Sequence, residues 1–234
     1  MVADSGAATA KTRGANGLIP ARADDLDQYT ATLIEWHDLV RKTRFNIYAG
    51  QSNQREIMQM TTMAVLNRRI DQDILTALSG ATQDTSTAQT MSLSLAMYAL
   101  AILGNNAVPL DGNISAVISP AAHAYLMQTK EFASADYVNN KPFSGMLTMF
   151  RWSSVNWIVH PNISGKATSA EELYMYHKDS MGHACDITGV DSKVGYDEEQ
   201  DYSWARATAF MGSKLLQNEG IVNINHDGSA YAAA

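Results

Sequence analysis

Between residues 176 and 189 the chain reads YHKDSMGHACDITG, which sets His177, Asp179, His183, Cys185 and Asp186 within ten positions. Imidazole, thiolate and carboxylate are the donors that hold zinc, and a cysteine beside a histidine is the pairing of a nucleophilic thiol with its base. A metal-dependent hydrolase built here would use His177, His183 and Asp186. Spacing is the obstacle. Six residues along a helix is about 600°, which turns His177 and His183 to opposed faces, and on a strand Gly182 interrupts the pairing. A zinc site needs a bend that brings the imidazoles together with Cys185 or Asp186 as third ligand. Residues two apart on a helix diverge, which counts against a Cys185–His183 dyad. The alternative is scaffold: a strand ending at His177, then a short helix over KDSMGHAC capped by Asp179 or Ser180, with Ala184 and Cys185 packed inward.

Other motifs carry less. Gly165-Lys166 echoes a phosphate loop, but His160 stands at the required upstream glycine and Ala167 at the Ser/Thr position. NINHDG (223–228) alternates oxygen ligands before a glycine as a calcium loop does, yet its twelfth position is Ala234 and not a bidentate glutamate. His37 and His123 read as surface or capped histidines. The sequence therefore assigns no catalytic, cofactor-binding or metal-binding residue, and no enzyme activity.

The elements that would carry these side chains mix helices and strands. Residues 29–50 read as extended segments with a short helical turn. Asn53 and Glu56 have capping-box spacing, Gly80 stands at a C-terminal cap, and Met60, Met63, Leu66, Ile70, Ile74 and Ala77 recur at three- and four-residue steps between them. That pattern predicts one long amphipathic helix, a structural spine far beyond the usual length of about 11 residues. A polar loop over 81–90 leads from a start near Ser86 or Thr87 into a second helix over 88–103. ISAVISP (114–120) predicts a buried strand followed by a third helix with Ser119 as cap and Pro120 in its first turn. GMLTMF, VNWIVHP, ELYMYH, SWARATAFMGSKLL and IVNIN read as strands. Without a regular βα repeat the fold class is α+β.

Composition bounds the function. The chain has 234 residues, 46% hydrophobic and 18% charged, which suits a folded core. One cysteine excludes an internal disulfide framework, and Cys185 reads as a small buried hydrophobe. No apolar run reaches the ~18–20 residues of a membrane span, and no secretory leader pattern follows Met1. Residues 1–70 carry nine Lys/Arg against seven Asp/Glu, whereas residues 71–234 carry eight against seventeen. So acidic a body argues against tight nucleic-acid binding, while the mildly basic N-terminal part suits an acidic partner, another copy included. Residues 1–20 are rich in Ala, Gly, Ser and Thr with one apolar point at Leu18-Ile19-Pro20, and are either a flexible tail or an arm that orders on another subunit.

Taken in order, ANGLIPARADDLDQYTATLIE, MTTMAVLNRRIDQDILTALSGAT, VISPAAHAYLMQTKEFASADYV, SSVNWIVHPNIS, YMYHKDSMGHACD and RATAFMGSKLLQNEGIVNINHD resemble the major capsid proteins of tailed double-stranded-DNA phages, which share the Hong Kong 97 capsid fold. The resemblance implies an extended-loop arm over 1–43, a peripheral domain with the spine helix over 44–85, an axial domain over 86–194, peripheral return strands over 195–217, and a C-terminal axial strand and tail over 218–234. It also implies the function: a structural protein that self-assembles into pentamers and hexamers of an icosahedral virion shell around double-stranded DNA. Assembly would take place in the host cytoplasm, with scaffolding, portal and decoration proteins as further partners, and no cofactor or membrane. YHKDSMGHACD then falls on a strand-to-helix turn of the axial domain and is scaffold. An encapsulin-type compartment shell, which uses the same fold, is the alternative.

Overall fold

The computed structural model describes residues 2–4, 9–14, 16–21, 25–50, 52–133, 149–187 and 189–232. In chain order the elements are β1 (Val2–Asp4), β2 (Asp25–Asp27), β3 (Ile34–Thr43), α1 (Arg44–Ala49), α2 (Gln54–Leu78), α3 (Leu93–Asn105), β4 (Ile114–Ile118), α4 (Pro120–Leu126), α5 (Lys130–Ala133), β5 (Met149–Trp152), β6 (Val155–Val159), β7 (Glu171–His177), β8 (Met181–Cys185), β9 (Asp191–Asp197), β10 (Tyr202–Leu215) and β11 (Ile221–His226). The α+β expectation holds. The loop around Asn139-Asn140 and the start of GMLTMF lie outside the described residues.

The long helix α2 runs 25 residues, as the periodicity predicts. Its start differs from a capping box: Asn53 makes no side-chain bond to the helix backbone, and its amide donates instead to Glu56 Oε2 at 3.1 Å. Its end does not use Gly80 in a left-handed conformation; the Ser79 N–H closes on Leu75 O. The buried row is also narrower than the predicted stripe. Met58, Thr62 and Leu66, four apart, are buried together with Leu78, while Met60 is 65% exposed. The cause lies in the sheet beneath. Strand β10 turns Ala205, Ala207 and Ala209 toward α2, and side chains this small let the helix settle along a single row, with Leu66 packed on Ala207 and Ala209.

That sheet has β10 at its centre. On one edge lies β3, with Ile34 opposite Met211 and Thr43 opposite Tyr202; on the other, β9 pairs with the first half of β10 and β8 with the second. The strand over 34–43 is thus bound into the sheet along its whole length. Ahead of it β1 and β2 form a separate antiparallel ribbon, which the sequence did not signal. Strand β9 was likewise unforeseen: Asp191, Ser192 and Lys193 give it little apolar alternation, and its pairing with β10 supplies the order.

The second sheet, ordered β11-β7-β4-β6-β5 with only β4 and β6 parallel, backs the main core. Its strands pack against α3, α4 and α5 through Leu95, Ala99, Ile118, Leu126, Phe132 and Trp157. Ser119 Oγ accepts the Ala122 N–H at 3.0 Å and Pro120 opens α4, as expected from sequence. Helix α3 begins later than predicted, at Leu93 with Ser92 as cap. Residues 83–89 cannot be helical because their backbone is engaged with β11: Thr85 N–H donates to Asn223 O, Gln89 N–H to Asn225 O, and Gln83 O accepts from Asn223 N–H.

Candidate functional site

The stretch from His177 to Asp186 is split between the two sheets. His177 ends β7 with its ring buried; Nε2 lies 3.3 Å from Asp111 Oδ1 and Nδ1 accepts the Asp179 N–H at 3.4 Å. Asp111 is held well below the ordinary carboxylate range, at about 2, chiefly because the backbone and side-chain N–H groups of Asn113 donate to it, with His177 adding to the effect. After one 3-10 turn (Lys178–Ser180) the chain enters β8 and not the expected helix. The ladder with β10 decides this: five residues of KDSMGHACD find partners on Met211–Leu215, and Leu216 packs over the bare Cα of Gly182.

A strand changes the local geometry. His183 and Cys185 now share a face, and Cys185 is exposed, not buried as expected. His183 pairs across the ladder with Ser213, Nδ1 to Oγ 2.9 Å, while the Ser213 hydroxyl donates to Asp73 Oδ2 at 2.6 Å; the imidazole proton therefore sits on Nδ1. The Asp186 N–H donates to Phe210 O, and its carboxylate caps Ile187 N–H at 2.8 Å. His177 belongs to one sheet and His183 to the other. Among the described residues no three His, Cys, Asp or Glu side chains are grouped to hold a metal ion. The remaining candidates are also engaged in structure: His37 bridges Glu35 and Thr208, and His123 lies against Phe132 and Phe150, where burial lowers its pKa.

A polar cluster that the sequence reading missed sits deeper. Glu171 and His226 face each other directly across the β7–β11 ladder, both side chains fully buried, with Nδ1 2.7 Å from Oε2. The same oxygen accepts the Ser119 hydroxyl at 2.6 Å, and Oε1 accepts the Ala167 N–H at 2.6 Å. One carboxylate thus ties together the end of β4, the 164–170 loop and the last strand. The signal was in the alternation: Glu171 is in phase with Leu173, and His226 with Val222 and Ile224, so two polar residues occupy core-facing positions. Ser119 is fully buried, so the trio is structural and unreachable by a substrate.

The surface offers a different kind of site. Residues 9–14 and 16–21 are exposed, with Leu18 at 74% and Ile19 at 69%, and among the described residues their hydrogen bonds are local, Gly14 N–H to Leu18 O and Gly17 N–H to Gly14 O. Phe45 and Tyr48 on α1 and Met60 on α2 add further exposed apolar surface.

The sequence profile of the phage capsid protein family matches residues 2–228. The chain belongs to that family. It is a structural major capsid protein, and its place is the capsid of the virion. Among curated protein sequences none matches. The fold is that of Hong Kong 97-type capsids. A chain from Mycobacterium phage Che8 superposes with a TM-score of 0.71 at 17% identity, over 96% of this chain and 83% of that one. The acidic stable capsid of Helicobacter pylori bacteriophage KHP30 gives 0.67 at 10% identity, over 97% and 84%. The holo-SrpI encapsulin complex from Synechococcus elongatus PCC 7942 gives 0.61 at 11%, over 86% and 77%. The capsid protein thus shares its fold with a compartment shell.

Proposed function

We infer that this capsid protein builds a closed icosahedral shell from pentamers and hexamers, with the arm ahead of Leu33 lying across a neighbouring copy, and that the shell encloses double-stranded DNA without reading its sequence. The observation that carries the reading is the exposed apolar tip Leu18-Ile19 on a segment whose described hydrogen bonds are local. In a shell, repeated contacts between identical surfaces bury such a tip on every subunit. The acidic balance of residues 71–234 suits a wall that must not bind its contents tightly. Within this reading the protein catalyses nothing, and assembly takes place in the host cytoplasm with scaffolding, portal or decoration proteins. The experiment is sedimentation and electron microscopy of the purified protein, followed by analysis of particle contents. Closed particles containing nuclease-protected DNA are expected. Particles holding a single cargo protein and no DNA would establish the encapsulin-type alternative.

A further inference from the structure

A crevice of about 370 Å³ opens between α2, β3 and the segment after β6, lined by Trp36, His37, Leu66, Arg68, Arg69 and Asn162. Arg69 lies over the Trp36 ring, its guanidinium carbon 3.7 Å from the ring centroid. The indole covers one face of the guanidinium. Arg69 Nε and Trp36 Nε1 are both buried donors without a hydrogen-bond partner among the described residues. Neither Arg68 nor Arg69 has an ion pair among the described residues.

The nearby acids are committed elsewhere. Asp71 lies 3.2 Å from His160 Nε2, Asp73 accepts from Ser213 at 2.6 Å, and Glu172, in the adjoining crevice that also contains Arg69, accepts the Tyr174 hydroxyl at 3.0 Å. A planar fork of donors beside an indole N–H calls for a planar acceptor with two oxygens.

We propose that this crevice receives a carboxylate side chain from a second copy of the chain, held by Arg69 with Arg68 and the Trp36 indole, as a specific contact between subunits. The proposal rests on the shell reading above. Charge selects the occupant. Residues 71–234 supply seventeen Asp/Glu, and the turn Asp197–Asp201 alone places four carboxylates within five residues on the surface. A nucleic-acid backbone fits less well, because two arginines flanked by Asp71, Asp73 and Glu172 offer no continuous row of cations to a polyanion.

The test uses Arg69→Lys, which puts an amine in the crevice, in particles assembled from mixed light and heavy-nitrogen subunits and treated with a carbodiimide. The expected product is a peptide joining position 69 to an Asp or Glu of the opposite label, absent from unassembled subunits. Particles that yield no such link, links only within one chain, or links to nucleic acid overturn the proposal while leaving the shell reading intact; failure of the unaltered protein to form particles overturns the shell reading itself. Arg69→Met gives a second readout, because it keeps a stem over Trp36 and removes the fork. It should leave the subunit's thermal midpoint in place and raise the concentration needed for assembly at least about tenfold. An unchanged assembly concentration overturns the proposal.

Discussion

Replacing Glu171 by leucine tests the polar knot between the last strand and the 164–170 loop. The side chain is fully buried, and its two oxygens accept from Ser119, His226 and the Ala167 N–H. Leucine fills similar space but strands the buried Ser119 hydroxyl and His226 imidazole and removes the acceptor of the half-buried Ala167 N–H, and each buried orphan costs about 1–3 kcal/mol. A hydrogen bond to a charged group is worth about 1.5–3 kcal/mol, so losing the two buried ones, from Ser119 and His226, should cost about 3–6 kcal/mol. For a chain of this size each kcal/mol moves the thermal midpoint by about 2–4 °C, which places the expected drop at about 6–24 °C. Glu171→Gln keeps the shape and one acceptor oxygen and should lose about half as much. His226→Leu in the Glu171→Leu background should cost less than it does alone, because its partner is already gone. The assay is chemical denaturation of unassembled subunits, with calorimetry as a check. A Glu171→Leu midpoint within experimental error of the parent would refute the reasoning, since it would mean that the knot contributes nothing net.

Asp111 should give the fold an acid-sensitive contribution. Its folded pKa is depressed to about 2, so the stabilisation is present above the ordinary carboxylate value and lost as pH falls through about 2. Asp111→Asn is expected to flatten the denaturation midpoint between about pH 4 and 2 relative to the parent, and an unchanged slope would count against the Asn113 contacts as the cause. Gly165 sits at φ +67° with the Ala170 carbonyl where a Cβ would go; Gly165→Ala should destabilise by about 1–3 kcal/mol or more, read as a lowered midpoint. Changing Leu18 and Ile19 together to serine should leave subunit stability within about 0.5 kcal/mol, since both are exposed, yet abolish or sharply reduce particle formation in sedimentation.

The elements with strong periodic or capping chemistry were legible in the sequence. The length of α2, the Ser119-Pro120 start of α4, the apolar β4 and the long alternating β10 all follow from local pattern, because in each the residues that decide the structure are neighbours in the chain. The misreadings share the opposite cause. MGHAC becomes a strand because β10, some 30 residues later, presents a free edge; 83–89 stays extended because β11 takes its backbone groups; Met60 is exposed because the alanines of β10 choose a different row of α2. The candidate cluster was visible as residue types, yet its partition between two sheets depends on topology, and so do the Glu171–His226 contact and the stacking of Arg69 on Trp36.

Imaging the purified protein by cryo-electron microscopy tests the central claim most directly. A closed shell is expected, built from five- and six-membered rings of this chain, with residues 9–21 of each copy lying on an adjacent one. A protein that remains a monomer at every concentration, or whose arm folds back on its own body, would contradict it.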